Sequence, residues 1–82
     1  MEQTRVAILA IVVENPAQEE PLNQILHQYR QHIIGRMGIP YEKKEISLIS
    51  IAVDAPADII SALSGKIGML DGVTAKAVYS KV

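Results

Sequence analysis

The sequence predicts an α+β fold in which an antiparallel four-stranded sheet carries two helices on one face, and three observations support this prediction. Residues 6–13 and 46–53 are almost entirely apolar and rich in β-branched side chains, as buried strands are. Two other segments carry apolar residues at the i, i+3, i+4, i+7 spacing of a helix. Two weaker strand patterns complete the chain, so the order of elements is β-α-β-β-α-β.

The first strand, β1, is expected at residues 6–13 and ends at a turn-forming Glu-Asn-Pro segment. Because side chains alternate between the faces of a strand, Ile8 and Leu9 point to opposite faces, and neither face of β1 is polar. A strand that is apolar on both faces is typical of the centre of a sheet that is covered above and below. The first helix, α1, is expected at about residues 18–31, with an apolar stripe formed by Leu22, Ile25, Leu26 and Tyr29.

The middle of the chain predicts a hairpin of two unequal strands. In β2, expected at residues 33–39, Gly35 and Gly38 indicate a bulge or a close backbone contact, which favours an edge position. The six residues that follow contain Pro, Lys and Glu, as solvated connections do. Residues 46–53 then predict β3, which is dominated by apolar residues on both faces and is therefore expected beside β1 in the centre of the sheet.

The last third of the chain predicts a second helix and a final edge strand. We expect the carboxylate of Asp54 to cap this helix, α2, and Pro56 to lie in its first turn. The helix is expected to end near Gly68 as its C-cap, and its apolar stripe consists of Ile59, Ile60, Leu63 and Ile67. An Asp-Gly turn then leads into β4, expected at residues 73–80, whose lysines suit an exposed edge.

The β-α-β-β-α-β order with right-handed crossovers predicts a ferredoxin-like sandwich with β1 and β3 in the middle of the sheet. Two helices cover only one sheet face, so the second apolar face needs a cover that the chain does not supply. A second copy of the chain is the simplest cover, and we expect a homodimer or homotetramer. The expected contact residues are Ile8, Leu48 and Ser50.

Composition excludes several classes of function. The 82 residues make a single domain, residues 1–82, with a formal charge of −1, no basic stripe, and neither Trp nor Phe for stacking bases, so nucleic-acid binding by this chain alone is not expected. The absence of Cys excludes disulfides and thiolate metal sites and is consistent with a cytoplasmic location. No signal peptide or membrane-spanning apolar run is present, so we expect no membrane association.

The sequence offers no clear catalytic or metal centre. His27 and His32 are five residues apart, which is not the i, i+4 spacing at which two imidazoles on a helix share a metal. No nucleophile motif is present, so we expect no enzyme activity, no metal and no cofactor. The Ser-Gly-Lys segment that contains Lys66 lies within a helical stripe, which favours a helix C-terminal turn over a phosphate loop.

Five residues are candidates for ligand binding or for an interface: Arg36, Gly35, Gly38, Gly65 and Lys66. Arg36 lies between two glycines, whose bare backbone leaves room for an anion or for a partner's carboxylate. The alternative, that Arg36 is only a solvated charge on an edge strand, is equally consistent with the sequence. Gly65 lies off the apolar stripe of α2, where glycine costs about 1 kcal/mol relative to alanine without a packing gain, so a close approach by another group is expected.

Four segments resemble known regulatory proteins: Gly72-Val73, IIGRMGIPY at residues 33–41, ISLIS at 46–50 and ALSGKIG at 62–68. The Gly-Val step resembles the start of the last strand in ACT-type regulatory domains. Together, the segments resemble the iron-only hydrogenase system regulators over nearly the whole chain. That family is similar to the C-terminal ligand-sensing domain of nickel-responsive repressors, and the resemblance implies an ACT-like oligomer with a regulatory role.

The chain differs from these relatives in three features, and these differences limit which functional properties the resemblance implies. It lacks the Cys and His ligands of the nickel repressors, so nickel sensing is not expected. Strand β1 is expected almost at the first residue, which leaves no predicted DNA-binding arm. The β1–α1 turn has no glycine, unlike that of amino-acid-binding ACT domains. We therefore expect a regulatory module that self-associates and senses a small molecule or docks on a partner protein, with a ligand-free oligomerisation domain as the alternative.

Overall fold

The computed structural model describes residues 3–81, and these form one antiparallel sheet with the strand order β2-β3-β1-β4 and two helices on one face. This arrangement confirms the predicted ferredoxin-like fold with β1 and β3 in the centre. The elements are β1 (Arg5–Val13), α1 (Glu19–Gln28), β2 (Ile33–Tyr41), β3 (Ile46–Ala55), α2 (Ala57–Gly68) and β4 (Val73–Tyr79). Among the described residues, no helix is long and apolar enough to cross a membrane.

The core lies between the helices and the face of the sheet that carries Leu9. This residue is fully buried, and so is Ile51, which lies directly opposite it on β3. From the helices, the core receives Leu22, Leu26, Ile60, Leu63 and Ile67. No polar side chain among the described residues is buried, so burial of aliphatic side chains, worth about 1.5–3 kcal/mol for each Leu or Ile, stabilises the fold.

The helix boundaries differ from the prediction in three places. Helix α1 spans ten residues: it begins at Glu19, one residue after the expected start and behind a separate 3-10 segment, Pro16–Gln18, and its expected last residues belong to a second 3-10 segment, Arg30–His32. Asp54 does not cap α2, since β3 continues to the buried Ala55 and keeps Asp54 exposed on the opposite sheet face. Pro56 is the N-cap instead of a first-turn residue; its side chain provides no capping hydrogen bond, while its carbonyl oxygen accepts from the backbone N–H groups of Ile59 and Ile60.

One of the two glycines near the end of α2 has another role than the sequence indicated, and the other lies in the predicted turn. Gly68 is the last residue of α2, but the cap is Met69 in a right-handed conformation, so Gly68 is not the C-cap. The left-handed conformation occurs instead at Gly72, in the turn that leads into β4.

Strand β2 is longer than predicted and includes Pro40 and Tyr41, which the sequence had indicated as loop. Proline fits there because β2 is an edge strand, where a missing N–H need not break a ladder hydrogen bond. The predicted bulge is confirmed, because the pairing of β2 with β3 shifts register between Ile33 and Gly35. A short 3-10 turn and Glu45, whose φ is 56°, connect the two strands.

Candidate functional site

The sheet face opposite the helices is mostly apolar, with Asp54 and Lys76 as charged residues on it, and it is uncovered within the described chain; we call it the outer face. In the strand register, Ile8 lies between Ala52 and Val78, while Leu48 lies between Val12 and Ile39. The large apolar side chains that this face exposes by at least 40 % are Val6, Ile8, Met37, Ile39, Tyr41, Leu48 and Val78.

All three residues predicted to form an oligomer interface lie on the outer face. Ile8 and Leu48 remain 49 % and 42 % exposed although both belong to central strands. Ser50 lies between Ala10 and Met37 near the middle of this face and is half-buried. The structure therefore places these residues on one surface, and their contact with a second copy stays a prediction.

On the other side of the sheet, a groove separates α1 from β2 and the start of β3, and we call it the α1–β2 groove. It has a volume of about 290 Å³. Its lining includes Glu19, Leu22, Asn23, Arg36, Gly38, Ser47 and Ile49. The aliphatic side chains form its apolar part, while the polar side chains come from the helix and the two strands.

The polar side chains of the groove form two hydrogen-bonded pairs. The Nη2 atom of Arg36 donates to Oδ1 of Asn23 over 2.6 Å, and Oγ of Ser47 donates to Oε1 of Glu19 over 2.8 Å. Because Asn23 is neutral, its bond to Arg36 leaves the positive charge unbalanced. No carboxylate among residues 3–81 forms an ion pair with Arg36. The guanidinium keeps further N–H groups that can bind an anion.

The surface becomes acidic beyond the Ser47 end of the α1–β2 groove. A neighbouring cavity of about 440 Å³ shares Glu19 and Ser47 with the groove and is also lined by Glu42 and Glu45. The combined surface thus has a cationic end at Arg36 and an acidic end at the β2–β3 turn. This polarity favours a ligand whose anionic group lies at the Arg36 end.

The other candidate residues lie elsewhere. Gly35 pairs with Ala52 and therefore belongs to the outer face, whereas Gly38 lines the groove with Arg36. Lys66 lies over the ring of Tyr29, with its Nζ 5.1 Å from the ring centroid, and Gly65 is exposed with open space around its Cα. The structure therefore brings together two of the five candidates in one groove.

Sequence reasoning missed three polar residues of the groove. Asn23 and Glu19 are four residues apart on α1, which puts both on one side of the helix. Ser47 interrupts the apolar run of β3 and has the same strand parity as Ile49, so it points to the helix side. A search for polar residues that flank the apolar stripes could have found all three.

The histidines do not form a metal centre with other residues of the described chain. His27 is exposed on α1, and His32 ends the 3-10 segment that precedes β2. Within residues 3–81, no three His, Asp or Glu side chains lie close enough together to hold a metal ion.

Comparison with known proteins gives a family and a close structural relative. No curated protein matches the chain. One solved structure, that of the uncharacterized protein TM1266 from Thermotoga maritima, superposes with a TM-score of 0.92 at 34% sequence identity, covering 96% of this chain and 100% of that one. Residues 5–77 match the family described as "TM1266-like: Iron-only hydrogenase system regulator, putative". This chain therefore belongs to the TM1266-like family of iron-only hydrogenase system regulators.

Proposed function

We propose that this chain is a non-enzymatic regulatory module of an iron-only hydrogenase system, which self-associates through its outer face and binds a small anionic effector in the α1–β2 groove. The regulatory role follows the description of its family. The observation that carries self-association is the uncovered apolar outer face, and the unbalanced charge of Arg36 supports effector binding.

The outer face is suited to a contact between two sheets. Contiguous apolar patches on soluble monomers are usually small, whereas here apolar side chains extend across all four strands. Ile8 and Leu48 lie on the two central strands, so residues at the edges of the sheet do not cover them. Two copies stacked about 10 Å apart would bury both faces in one dry layer. A symmetric dimer supplies this cover without a second gene product.

The α1–β2 groove has the features of a small effector site. Its apolar part, formed by residues such as Leu22 and Ile49, can bury the body of a ligand, while Arg36 can receive a carboxylate or phosphate. Its volume lies near the lower end of the range for ligand pockets, about 300–1,000 Å³, which favours a metabolite over a large cofactor.

Light scattering of the purified protein at micromolar concentration tests self-association. We expect the wild type to be a dimer or tetramer, and Ile8→Lys and Leu48→Lys to lower the molar mass, because each would bury a charge in the contact. Ser61→Lys adds the same charge on the exposed side of α2 and should leave the mass unchanged. A monomeric wild type, or lysine variants that assemble normally, would contradict the proposal.

A ligand-free oligomerisation domain is the second candidate, and the hydrogen bond that already engages Arg36 with Asn23 favours it. Thermal shift with citrate and inorganic phosphate separates the two candidates, because a ligand that binds only the folded state raises the melting temperature. Saturable stabilisation that disappears in Arg36→Met supports an effector site. Equal curves for both proteins support the ligand-free domain.

A further inference from the structure

A second depression lies beside the α1–β2 groove, between the end of α1 and the start of β2, and we call it the Arg30 cavity. It has a volume of about 320 Å³. Its lining consists of Asn23, Leu26, His27, Arg30, Ile33 and Arg36. Asn23 and Arg36 also line the α1–β2 groove, so their hydrogen-bonded pair lies where the two depressions meet.

Arg30 brings a second positive charge to the Arg30 cavity. Residues 23, 27 and 30 follow the i, i+4, i+7 spacing, which puts them on one side of α1 and of the 3-10 segment behind it. Nη1 of Arg30 donates to the backbone carbonyl oxygen of His27 over 2.9 Å. This bond holds the side chain at the C-terminal end of α1, where carbonyl groups lack partners within the helix.

Neither arginine of the cavity has a carboxylate partner within residues 3–81. Arg30 donates to a backbone carbonyl and Arg36 to a neutral amide, so both keep an unbalanced charge and further N–H groups. No described carboxylate lines the cavity, and Glu20 belongs to a neighbouring depression on α1. Two like charges in one depression repel each other, and a ligand with two negative charges would relieve that repulsion.

The wall of the Arg30 cavity is apolar where it meets the core. Leu26 is only 2% exposed, and Ile33 is half-buried at the start of β2. A short hydrocarbon chain can lie against these two side chains, whereas a fully polar dianion such as pyrophosphate would place charge against them. His27 adds an imidazole N–H that can donate to the same anionic group as Arg30.

We propose that the effector is a small dicarboxylate, with one carboxylate on Arg36 and the other on Arg30 and His27, and with its carbon chain against the apolar wall. This inference rests on the proposed effector site at Arg36 and extends it past Asn23 into the Arg30 cavity. A guanidinium binds a carboxylate through two parallel hydrogen bonds, so two arginines select for two carboxylates on one ligand. A monocarboxylate can engage only one of them.

Isothermal titration with matched carboxylates tests this inference. Succinate and glutarate are the dicarboxylates, and butyrate and valerate have the same chain lengths with a methyl group in place of the second carboxylate. Buffers of equal ionic strength keep the screening of surface charges the same. We expect the wild type to bind at least one dicarboxylate about tenfold or more tightly than the monocarboxylate of the same length.

Two arginine variants locate the second carboxylate. Arg30→Gln removes the charge, while its amide can still donate to the carbonyl oxygen of His27, so circular dichroism should show an unchanged fold. In this variant we expect the preference for the dicarboxylate to fall below about twofold. Arg5→Gln is the matched control, because Arg5 is also exposed and donates to a backbone carbonyl, that of Ser80, but does not line the cavity. It should keep the preference of the wild type.

The outcomes separate this inference from the proposed function. Equal affinities for the matched acids, or a preference that survives in Arg30→Gln, would overturn the dicarboxylate site, while monocarboxylate binding that is lost in Arg36→Met would still support the proposed function. A preference that Arg5→Gln also removes would assign it to net charge and overturn the inference. If Arg36→Met binds all four acids as the wild type does, both proposals are wrong. If no carboxylate binds the wild type, this inference is wrong, and the response to phosphate alone decides the proposed function.

Discussion

Gly72 lies directly against Asn15 where the last turn of the chain meets the end of β1. A Cβ on Gly72 would be 2.9 Å from the Cβ of Asn15, and the φ angle of Gly72 is 75°. The backbone N–H of Glu14 also donates to the carbonyl oxygen of Gly72 over 2.7 Å. This contact joins the β1–α1 connection to the α2–β4 turn, so glycine is required here by both conformation and space.

We expect Gly72→Ala to lower the free energy of unfolding by about 1–3 kcal/mol, because the left-handed conformation is strained for alanine and the new methyl group meets Asn15. Urea denaturation followed by circular dichroism measures the change. Gly65→Ala is the matched control, since Gly65 lies inside α2 with open space around it and its replacement should raise stability by about 0.5–1 kcal/mol. Equal effects of the two substitutions would contradict this account of Gly72.

The two faces of β1 should respond differently to the loss of side-chain volume. Leu9 is fully buried, so Leu9→Ala should reduce the free energy of unfolding by about 2–5 kcal/mol through lost burial and the cavity it leaves. Ile8→Ala should lower the free energy of unfolding by less than this in a protein that Leu48→Lys keeps monomeric, since Ile8 is half exposed in a single chain. In the unmodified background, the cost of Ile8→Ala should depend on protein concentration, because part of the burial of Ile8 would then belong to the oligomer.

Local sequence patterns predict much of the fold. The predictions fail where contacts between residues far apart in the sequence determine the structure. An apolar run such as that of β1 predicts a central strand because both of its faces must be covered. The Asp-Ala-Pro sequence at residues 54–56 resembles a helix cap, but Ala55 pairs with Arg5 across the sheet and extends the strand through that position. No pattern in the neighbouring sequence predicts this pairing.

The candidate site shows the same limit. The glycines beside Arg36 mark it as a residue with space around it, and the structure places it in a groove with Gly38. Its partner Asn23 could not be assigned, because the rotation of α1 relative to β2 depends on how the whole apolar stripe packs. Gly65 is a candidate because glycine lies there off the apolar stripe of α2, and this local pattern does not show that Gly65 and Lys66 lie at another place in the fold than Arg36.

We expect the purified, untagged protein to contain no stoichiometric metal. His27 and His32 lack a third ligand among the described residues, and two imidazoles without further donors hold divalent metals weakly. Elemental analysis by mass spectrometry measures the content directly. Incubation with EDTA should leave the melting temperature unchanged, whereas a fall in melting temperature together with about one metal per chain would contradict the expectation.

The final prediction separates two roles of Arg36, effector binding and assembly. Arg36→Lys keeps the charge but loses the planar pair of donors, so binding of citrate or phosphate should weaken while the free energy of unfolding changes by less than about 0.5 kcal/mol. Arg36 lines the groove on the helix side of the sheet, away from the outer face, so light scattering should give an unchanged molar mass. If Arg36→Lys lowers the molar mass instead, the guanidinium contributes to the subunit contact.

Asn23 provides the matching control from the helix side of the groove. Asn23→Asp places a carboxylate where the neutral oxygen now accepts from Arg36, so it should neutralise the site and weaken anion binding as much as Arg36→Lys does. Asn23→Ala removes the hydrogen bond but leaves the charge available, and should preserve or strengthen binding. Isothermal titration with citrate measures all three variants. If Asn23→Asp binds as tightly as the wild type, then Arg36 does not bind the anion, and the proposed effector site is wrong.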